Sequence, residues 1–589
     1  MLRLSWAPAL CVAALQFWSL ALARKAPNMI WIMADDLGWG EVGLYPAESP
    51  HGRIATPNLD QRPEDELSGS LWDVGFVRKV SGSSLKYEYQ SVSQVLEVYR
   101  IPKTSILQGR TSSQVIPNPE IRHVSPHVHV VESDLPLPPG DPPGVHNLPR
   151  FGREGVRFQQ AYAGYTVCAP SRTTFFTGRH SGHFRALQLN GEELKPEQNF
   201  TLLPQLFQRA GFRTGAFGKL APLVSPLRQG FDVFVGQVDQ ALCHNMYPKE
   251  IDTGDGTLNF KLSGNIHSPS PTRERCMQSP DSYNYTIDVF HKEAMSWMRQ
   301  VAQTSQPFFL YLSYTVPHAG GWGDAPASPE QGNPVPTDMG YGHQPWPEVE
   351  KDHAAVISYL DDKVGDVMKQ LKALKIDEKT MVFFASDNGA HLEGGHQIAF
   401  FNSTGGLSGH KRSMYEGGVR SPTMVRWPQQ IRPRTSQFAW AFWDMVPTVA
   451  ELLGVTAPEN DGISILPELY GQEQQEHDYL FFTWIGEGRS GGLGPANGDG
   501  ARNGPGYTVR KGVWKGLVPH CHDTKNWRPS WADEMKLFDL ESDPTEQRDW
   551  AKARPELVDE LKRLVMAEGL SCMCYQCGFS DDVMSSVII

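Results

Sequence analysis

Apolar positions along the chain follow two rhythms. Short runs rich in β-branched and aromatic residues, Asn28–Met33, Thr214–Phe217, Pro307–Tyr314 and Met381–Ala385, are separated by stretches with helical spacing. That alternation predicts a mostly parallel α/β sheet covered by helices. Helical signals fall over Leu202–Ala210, His353–Leu374 and Val446–Leu453, and ahead of the last Asp444 is placed to cap, with Pro447 in the first turn. The residues at the end of each strand are more informative still: Asp35-Asp36, Gly218-Lys219, Pro317-His318 and Asp387-Asn388. In an open α/β sheet such endings converge on one crevice at the carboxyl ends of the strands, where ligands bind.

Beyond about Gln472 the pattern changes. A Gly/Asn/Pro-rich loop over Gly486–Gly506 precedes a hairpin-like Tyr507–Val518, a strand Lys536–Leu540 and a helix Pro555–Ala567. This reads as a smaller, mostly antiparallel α+β domain over 472–589, after a larger domain over 24–471. Within the larger one, 61–149 has little sustained periodicity and carries proline clusters such as Leu135–Pro143. A structureless connection of that length is far beyond ordinary loops. Joining Thr56–Asp60 directly to Arg150–Phe158 gives one short helix, with Thr56 as cap, Pro57 at the first position, and Leu59 and Phe151 on one face. The segment therefore reads as an insertion into a helix, either a lineage-specific surface loop or translated intron sequence.

Charge and cysteines narrow the function. The 589 residues carry a formal net charge of -12, enough chain for a large core and no basic surface suited to nucleic acid. At the amino terminus Arg3, an apolar run through Pro8–Leu15, and Ala21-Leu22-Ala23 ahead of Arg24 have the order of a signal peptide over 1–23. The alternative, an uncleaved anchor, is opposed by Gln16, which leaves the run short of the ~20 residues a span needs; no later segment is apolar enough for stable membrane insertion. Sequons at Asn199, Asn284 and Asn402 fit a secretory route. Cys243, Cys276, Cys521, Cys572, Cys574 and Cys577 form an even set suited to disulfides in an oxidising compartment. Zinc at the Cys572–Cys577 cluster is disfavoured by spacing and by the lack of a following histidine. Cys168 is the odd one out.

Its surroundings read Cys168-Ala-Pro-Ser-Arg172, then Thr177-Gly-Arg179, or C-x-P-S-R-x(4)-T-G-R. Alone, Cys168 would be a small buried apolar residue. The dense pattern resembles the signature of the sulfatase family, in which the cysteine is oxidised to formylglycine during export. The resemblance covers Asn28 to about Glu568 apart from the insertion, and implies an alkaline phosphatase/sulfatase-like fold and a formylglycine-generating enzyme as a partner during export. The chemistry explains the modification. A plain serine attacking a sulfate ester would end as a stable sulfated alcohol, whereas a hydrated aldehyde can attack sulfur with one hydroxyl and drive sulfate out with the other.

Asp35, Asp36, Asp387 and the amide oxygen of Asn388, with Cys168 beside them, supply a metal site. Each motif alone could be only a turn or a strand exit, but oxygen ligands in this company suit calcium or magnesium rather than zinc, and the resemblance implies one calcium. Such an ion screens the sulfate charge and eases attack on sulfur. Arg172, Lys219, His318 and Lys411 are the expected cations around the sulfate. Lys219 and Lys411, the latter five residues before Glu416-Gly-Gly-Val-Arg420, match family positions, and His318 matches the family histidine that contacts the sulfate and can protonate the leaving alcohol. One position departs from the family: its usual Gly-Lys-Trp-His is here Gly218-Lys219-Leu220-Ala221, so Ala221 stands where a second histidine contacts the formylglycine hydroxyl. His244, His391, His396 and His410 are the candidate substitutes, each otherwise a pocket-wall or surface residue.

The resulting expectation is a secreted or lysosomal sulfatase hydrolysing an aryl sulfate or a sulfated carbohydrate. Gly230-Phe-Asp232 followed by Cys243-His244 and Tyr247 is similar to the N-acetylgalactosamine-6-sulfatase and arylsulfatase branch. A phosphate or phosphonate monoester hydrolase of the same superfamily, and a sulfate-ester-binding protein impaired in turnover through Ala221, are the alternatives.

Overall fold

Strand β1 (Asn28–Asp35) explains the continuous apolar run of its sequence, because both faces are covered. Ile30 and Ile32 pack into one core and Met29, Trp31 and Met33 into another on the opposite side of the sheet. In this computed structural model β1 lies inside a ten-stranded sheet. The other nine strands are β2 (Gly155–Phe158), β4 (Arg213–Lys219), β5 (Val233–Gln237), β6 (Glu250–Asp252), β7 (Asn259–Lys261), β8 (Phe308–Pro317), β9 (Thr380–Ser386), β10 (Thr423–Arg426) and β11 (Arg434–Ser436), in the order β11-β2-β10-β9-β1-β8-β4-β5-β6-β7. The run β9-β1-β8-β4-β5 is parallel, and antiparallel neighbours begin at β10 and β6. A small ladder joins β3 (Ala161–Tyr162) to β12 (Trp440–Ala441).

The structure describes residues 26–43, 51, 54, 154–184, 187, 190–254, 259–267, 269–322, 332–484, 506–519 and 535–576. The chain divides into two units, Met1–Asp65 with Asn147–Ile589, and Glu66–His146; all described residues belong to the first. The expected signal peptide, the insertion over 61–149 and nearly all of the Gly486–Gly506 loop lie outside them.

Helices α1 (Cys168–Thr177), α2 (Leu203–Arg209) and α5 (Met445–Leu453) bury Phe175, Leu203 and Val446 on one face of the sheet. Helices α3 (Thr286–Val301) and α4 (Glu348–Ala373) bury Ile287, Phe290, Val356 and Leu360 on the other. Helix α4 starts five residues before the expected His353, since Glu348 and Glu350 occupy its first turn where the helix dipole favours acids. Asp444 does not cap α5: its carboxylate instead accepts from the backbone N–H groups of Ala441 and Ile463. The C-terminal sheet is antiparallel throughout, β13 (Leu480–Trp484), β14 (Gly506–Lys511), β15 (Trp514–Pro519) and β16 (Lys536–Asp539), with α6 (Pro555–Gln576) packed on it through Val558, Leu561 and Val565.

Two expectations are corrected. Gly155–Phe158 is not helical but strand β2, paired antiparallel with β10. A Cβ at Gly155 would lie 1.9 Å from the Val425 carbonyl oxygen, so the glycine serves a close strand approach that periodicity cannot reveal. Cys243 and Cys276 are free buried thiols rather than half-cystines; the Cys243 thiol donates to the Gln240 carbonyl at 3.0 Å. An even cysteine count says nothing about distance. The side chains of Cys521, Cys572, Cys574 and Cys577 lie outside the described residues.

Candidate active site

The parallel registers bring the strand endings to one level. Ala34 pairs with Ser386, Asp35 with Pro317 and Gly218 with Ser313, so Asp35, Asp387, His318 and Lys219 surround one point at the carboxyl edge. Asp36 turns out of the strand with a φ of 68°, in the left-handed region that Asp tolerates better than most residues. Across from these endings begins α1. Val167 is extended and Cys168 is the first helical residue, while Pro170 falls in the first turn, whose N–H groups have no intrahelical partner. Gly178, at φ 72°, closes the helix. All ten residues of α1 are buried. Thr173, Thr174 and Thr177 make this tolerable by donating their hydroxyls to the carbonyls of Ala169, Ser171 and Thr173. The signature motif is thus a buried helix with Cys168 at its positive end.

Cys168 Sγ lies 3.1 Å from Asp35 Oδ1 and 3.9 Å from Asp36 Oδ1. Burial and then the Asp35 charge push its thiol well above the usual range, so an unmodified Cys168 is a poor nucleophile here. Arg172, one turn along α1, sends Nε to Asp387 Oδ2 at 2.9 Å and Nη1 to the Lys219 carbonyl at 3.0 Å and the Ser313 hydroxyl at 2.5 Å. Lys219 Nζ stands 2.7 Å from Asp35 Oδ2, and Lys411 Nζ stands 2.8 Å from Asp36 Oδ2. Although burial pushes Asp35 up, Lys219, His318 and Arg172 hold it well below the usual carboxylate range. Asp387 goes the other way, raised to about 7 by burial and by the neighbouring Asp35 charge.

These residues fit a hard divalent cation. Asn388 Oδ1 is buried with no hydrogen-bond partner among the described residues, while Asn388 Nδ2 donates to Asp36 Oδ1 at 2.7 Å. An orphaned carbonyl oxygen beside three buried carboxylates is what an oxygen-ligated ion satisfies.

Of the candidate substitutes for the histidine absent at Ala221, His244 is the one grouped with Cys168 among the described residues. His244, from the turn Leu242–His244, stacks on His318 with ring centroids 3.7 Å apart. Its Nε2 receives Lys219 Nζ at 3.0 Å, and nitrogens of His244 and His318 lie within 4.8 Å of Cys168 Sγ. An ammonium can only donate, so His244 Nε2 is an acceptor. Burial, then His318 and Lys219, push His244 well below the usual imidazole range, and burial and Lys411 lower His318. His318 Nδ1 faces the Ala319 carbonyl at 2.6 Å and its Nε2 faces Lys411 Nζ at 3.1 Å. His391 lies beside Asp36 and Glu393, with its Nε2 donating to the Pro317 carbonyl, while His396 turns to Glu350 and Ser403 and His410 to the Lys411 carbonyl. Sequence reasoning missed Glu393, 3.0 Å from Lys411 Nζ and 3.3 Å from His318 Nε2, and Ser313 beside Arg172. Glu393 sits in a Gly-rich loop with no periodic signal; only its proximity to Asn388 in sequence hinted at it.

A helix-sandwiched, mostly parallel sheet with a buried cluster of lysines, arginine, histidines and carboxylates at its carboxyl edge has the alkaline phosphatase/sulfatase architecture. The PsFucS1 sulfatase from Pseudoalteromonas sp. shares this fold, with a TM-score of 0.56 at 16% identity over 97% of this chain and 95% of that one. The Sulfatase family model matches residues 139–455, over half of the chain, and the protein belongs to the sulfatase family. Among curated relatives, N-acetylgalactosamine-6-sulfatase of Canis lupus familiaris is 26% identical over 57% of this chain and 63% of its own length. The N-acetylgalactosamine-6-O-sulfatase of Bacteroides thetaiotaomicron is 25% identical over 71% of this chain and 87% of its own length. The chain thus spans about three fifths of the mammalian relative it matches. Among the described residues no helix is long and apolar enough to cross a membrane.

Proposed function

We propose that the protein is a sulfuric ester hydrolase acting on a sulfated carbohydrate, the substrate class named for its N-acetylgalactosamine-6-sulfatase relatives. The observation that carries this reading is the convergence of Cys168 with three carboxylates, two lysines and a stacked histidine pair at one buried point. Asp35, Asp36, Asp387 and Asn388 would hold a calcium ion, which when bound supplies screening of the sulfate charge. Cys168 oxidised to formylglycine supplies the hydrated-aldehyde nucleophile that the thiol cannot, and this modification agrees with passage through the secretory route expected from residues 1–23.

The remaining residues divide the work between binding charge and moving protons. Lys219 and Lys411 receive the sulfate oxygens. Arg172 orients Asp387 and holds the Lys219 backbone, which acts through position rather than proton transfer. The Lys411–His318 pair shares a proton between two nitrogens 3.1 Å apart, and delivers it to the leaving alcohol. His244 Nε2 is the proton acceptor on the Cys168 side, filling from another segment the role that Ala221 leaves vacant. This placement favours an active enzyme over an impaired binding protein.

Parallel assays of the full chain, produced together with a formylglycine-generating enzyme, on aryl sulfate and aryl phosphate esters test the reading. Sulfate-ester turnover that is lost in Cys168→Ala supports it. Preferential phosphate-ester turnover would move the protein to the phosphomonoester branch, and binding without turnover would make it a receptor.

A further inference from the structure

Strand β5 ends beside the active centre, and the chain that leaves it carries His244. Gln237, its last residue, pairs in register with Lys219, and the Gln237 carbonyl accepts the Leu220 N–H at 2.9 Å. Farther along the same segment, His244 Nε2 meets Lys219 Nζ at 3.0 Å. The turn between is not held by apolar burial, because Asp239, Ala241 and Leu242 are all exposed, Leu242 to 55%. Beyond His244 the chain is anchored differently. Met246 and Tyr247 are buried, the Gly321 N–H donates to the His244 carbonyl at 2.9 Å, and the Met246 N–H donates to the Gly321 carbonyl at 3.1 Å. On the approach side, placement of the imidazole therefore rests on polar bonds.

Two side chains make those bonds. Asp239 Oδ1 accepts from the N–H groups of Ala241 and Leu242, both at 2.8 Å, and the Asp239 carbonyl accepts the Cys243 N–H at 3.0 Å. A carboxylate used this way closes a short turn as a cap closes a helix. From the sheet side, Gln237 Nε2 donates to the Leu242 carbonyl at 2.8 Å and so ties the turn to β5. Gln237 is only 4% exposed, yet its Oε1 has no hydrogen-bond partner among the described residues. A desolvated, unpaired carbonyl offsets much of what one donated bond contributes. An apolar side chain of the same length would give up both at once, and the Leu242 carbonyl would still keep the Asn245 N–H at 3.0 Å. Stability alone gives little reason for an amide at this position; a polar group kept at such a cost marks a functional demand.

We propose that Gln237 and Asp239 are positioning residues for the proton acceptor, bracketing the turn Leu242–His244 and setting the reach of His244 Nε2 toward Lys219 and Cys168. The proposal rests on the general-base reading of His244 given above. Misplacing a reacting group by about 1 Å costs up to about 10²-fold. Loosening one side of the bracket leaves the imidazole present, so a loss of about tenfold is expected, smaller than the 10²–10⁴-fold of a missing base.

The test compares Gln237→Met and Asp239→Ala with the parent and His244→Ala, all full-length and formylglycine-containing, in rapid time courses with aryl sulfate in excess. Both variants are expected to release about one equivalent of alcohol in a burst, with kcat lowered about tenfold and KM falling in step, so that kcat/KM stays near the parent value, because alcohol leaves before the affected step. Asp239→Asn keeps the accepting oxygen and restores the linear course, and Ala221→His raises the slow phase of Gln237→Met by bringing an imidazole from another segment. A linear time course at the parental rate in either variant overturns the proposal, as does a fall in kcat/KM without a burst, the mark of a merely structural disturbance. If His244→Ala itself shows no burst, the general-base reading has failed; if it does and the two variants do not, the bracket alone has failed. Asp239 is exposed, so Asp239→Ala decides even where Gln237→Met fails to fold.

Discussion

His244 and His318 stack with ring centroids 3.7 Å apart, and His353 and His396 stack at 3.6 Å. Lys219 and Lys411 face the first pair, at 3.0 and 3.1 Å from the Nε2 atoms, whereas Glu41 and Glu350 face the second. Ammonium groups force the first pair to accept hydrogen bonds, and burial with their charge favours the neutral form of both rings, which lets His244 take a proton from a reacting group and His318 pass one on from Lys411. Carboxylates make the second pair donate instead, His353 Nε2 to Glu41 and His396 Nδ1 to Glu350. Two near-identical ring stacks thus make opposite hydrogen bonds, and the sign of the charge facing the ring nitrogens decides which.

The largest effect expected from breaking the first arrangement is at its centre. Cys168→Ala abolishes release of inorganic sulfate while circular dichroism and melting temperature stay close to those of the parent; full activity in that variant sinks the mechanism. Next comes His244→Ala, for which a fall of about 10²–10⁴-fold in turnover is expected, the usual contribution of a general base. Adding Ala221→His to that variant should recover part of the loss, whereas Ala221→His in the parent changes little. His318→Ala sharpens the comparison from the leaving-group side. Its loss should be large for sugar and alkyl sulfates and small for aryl sulfates with acidic phenols, because a good leaving group needs no proton; an equal loss for both would remove His318 from proton delivery. Chelation should lower activity reversibly, with calcium restoring it better than zinc, and Asp387→Ala should erase that response.

A third histidine pair supplies the smallest and most graded effect. His180 and His183 have centroids 4.1 Å apart and face Asp461 and Glu568. Hydrogen bonds to these carboxylates raise His183 to about 9, while burial lowers His180 to about 4. His183 gains its partners on folding, so its contribution is complete below about pH 6.5 and is lost as pH rises through about 9. Glu568, lowered to about 2 chiefly by its bond to His183, contributes above about pH 4.5 and loses that contribution as pH falls toward 2. Melting curves of the parent minus His183→Gln should therefore be widest apart between about pH 4.5 and 6.5 and converge at alkaline pH. The half-exposed position of His183 keeps the difference small.

Much of this was legible in the chain. The apolar runs of β1, β4, β8 and β9 and the residues that end them located the crevice, because in a parallel sheet strand order does not alter which end is the carboxyl end. Cys168 to Arg179 was legible as a motif because every position does local work: proline in a first turn, threonines back-bonded in a buried helix, glycine at the helix exit. His244 was legible only as one of four candidate histidines, since its approach to Cys168 depends on the turn after β5 folding over the sheet edge. Strand β2 was misread as helix because its four residues are too few for a period, and pairing with β10 fixes their conformation. Glu41, His353 and His396 come from three distant segments, and no local spacing joins them.

The most direct test of the central claim is a rapid time course of alcohol release by the formylglycine-containing parent and by His244→Ala, with aryl sulfate in large molar excess. With His244 as the proton acceptor, the parent releases alcohol linearly over many turnovers without a burst, and His244→Ala shows a burst of about one equivalent followed by a slow phase. A burst in the parent that His244→Ala leaves unchanged would contradict the account and make Ala221 a true catalytic defect.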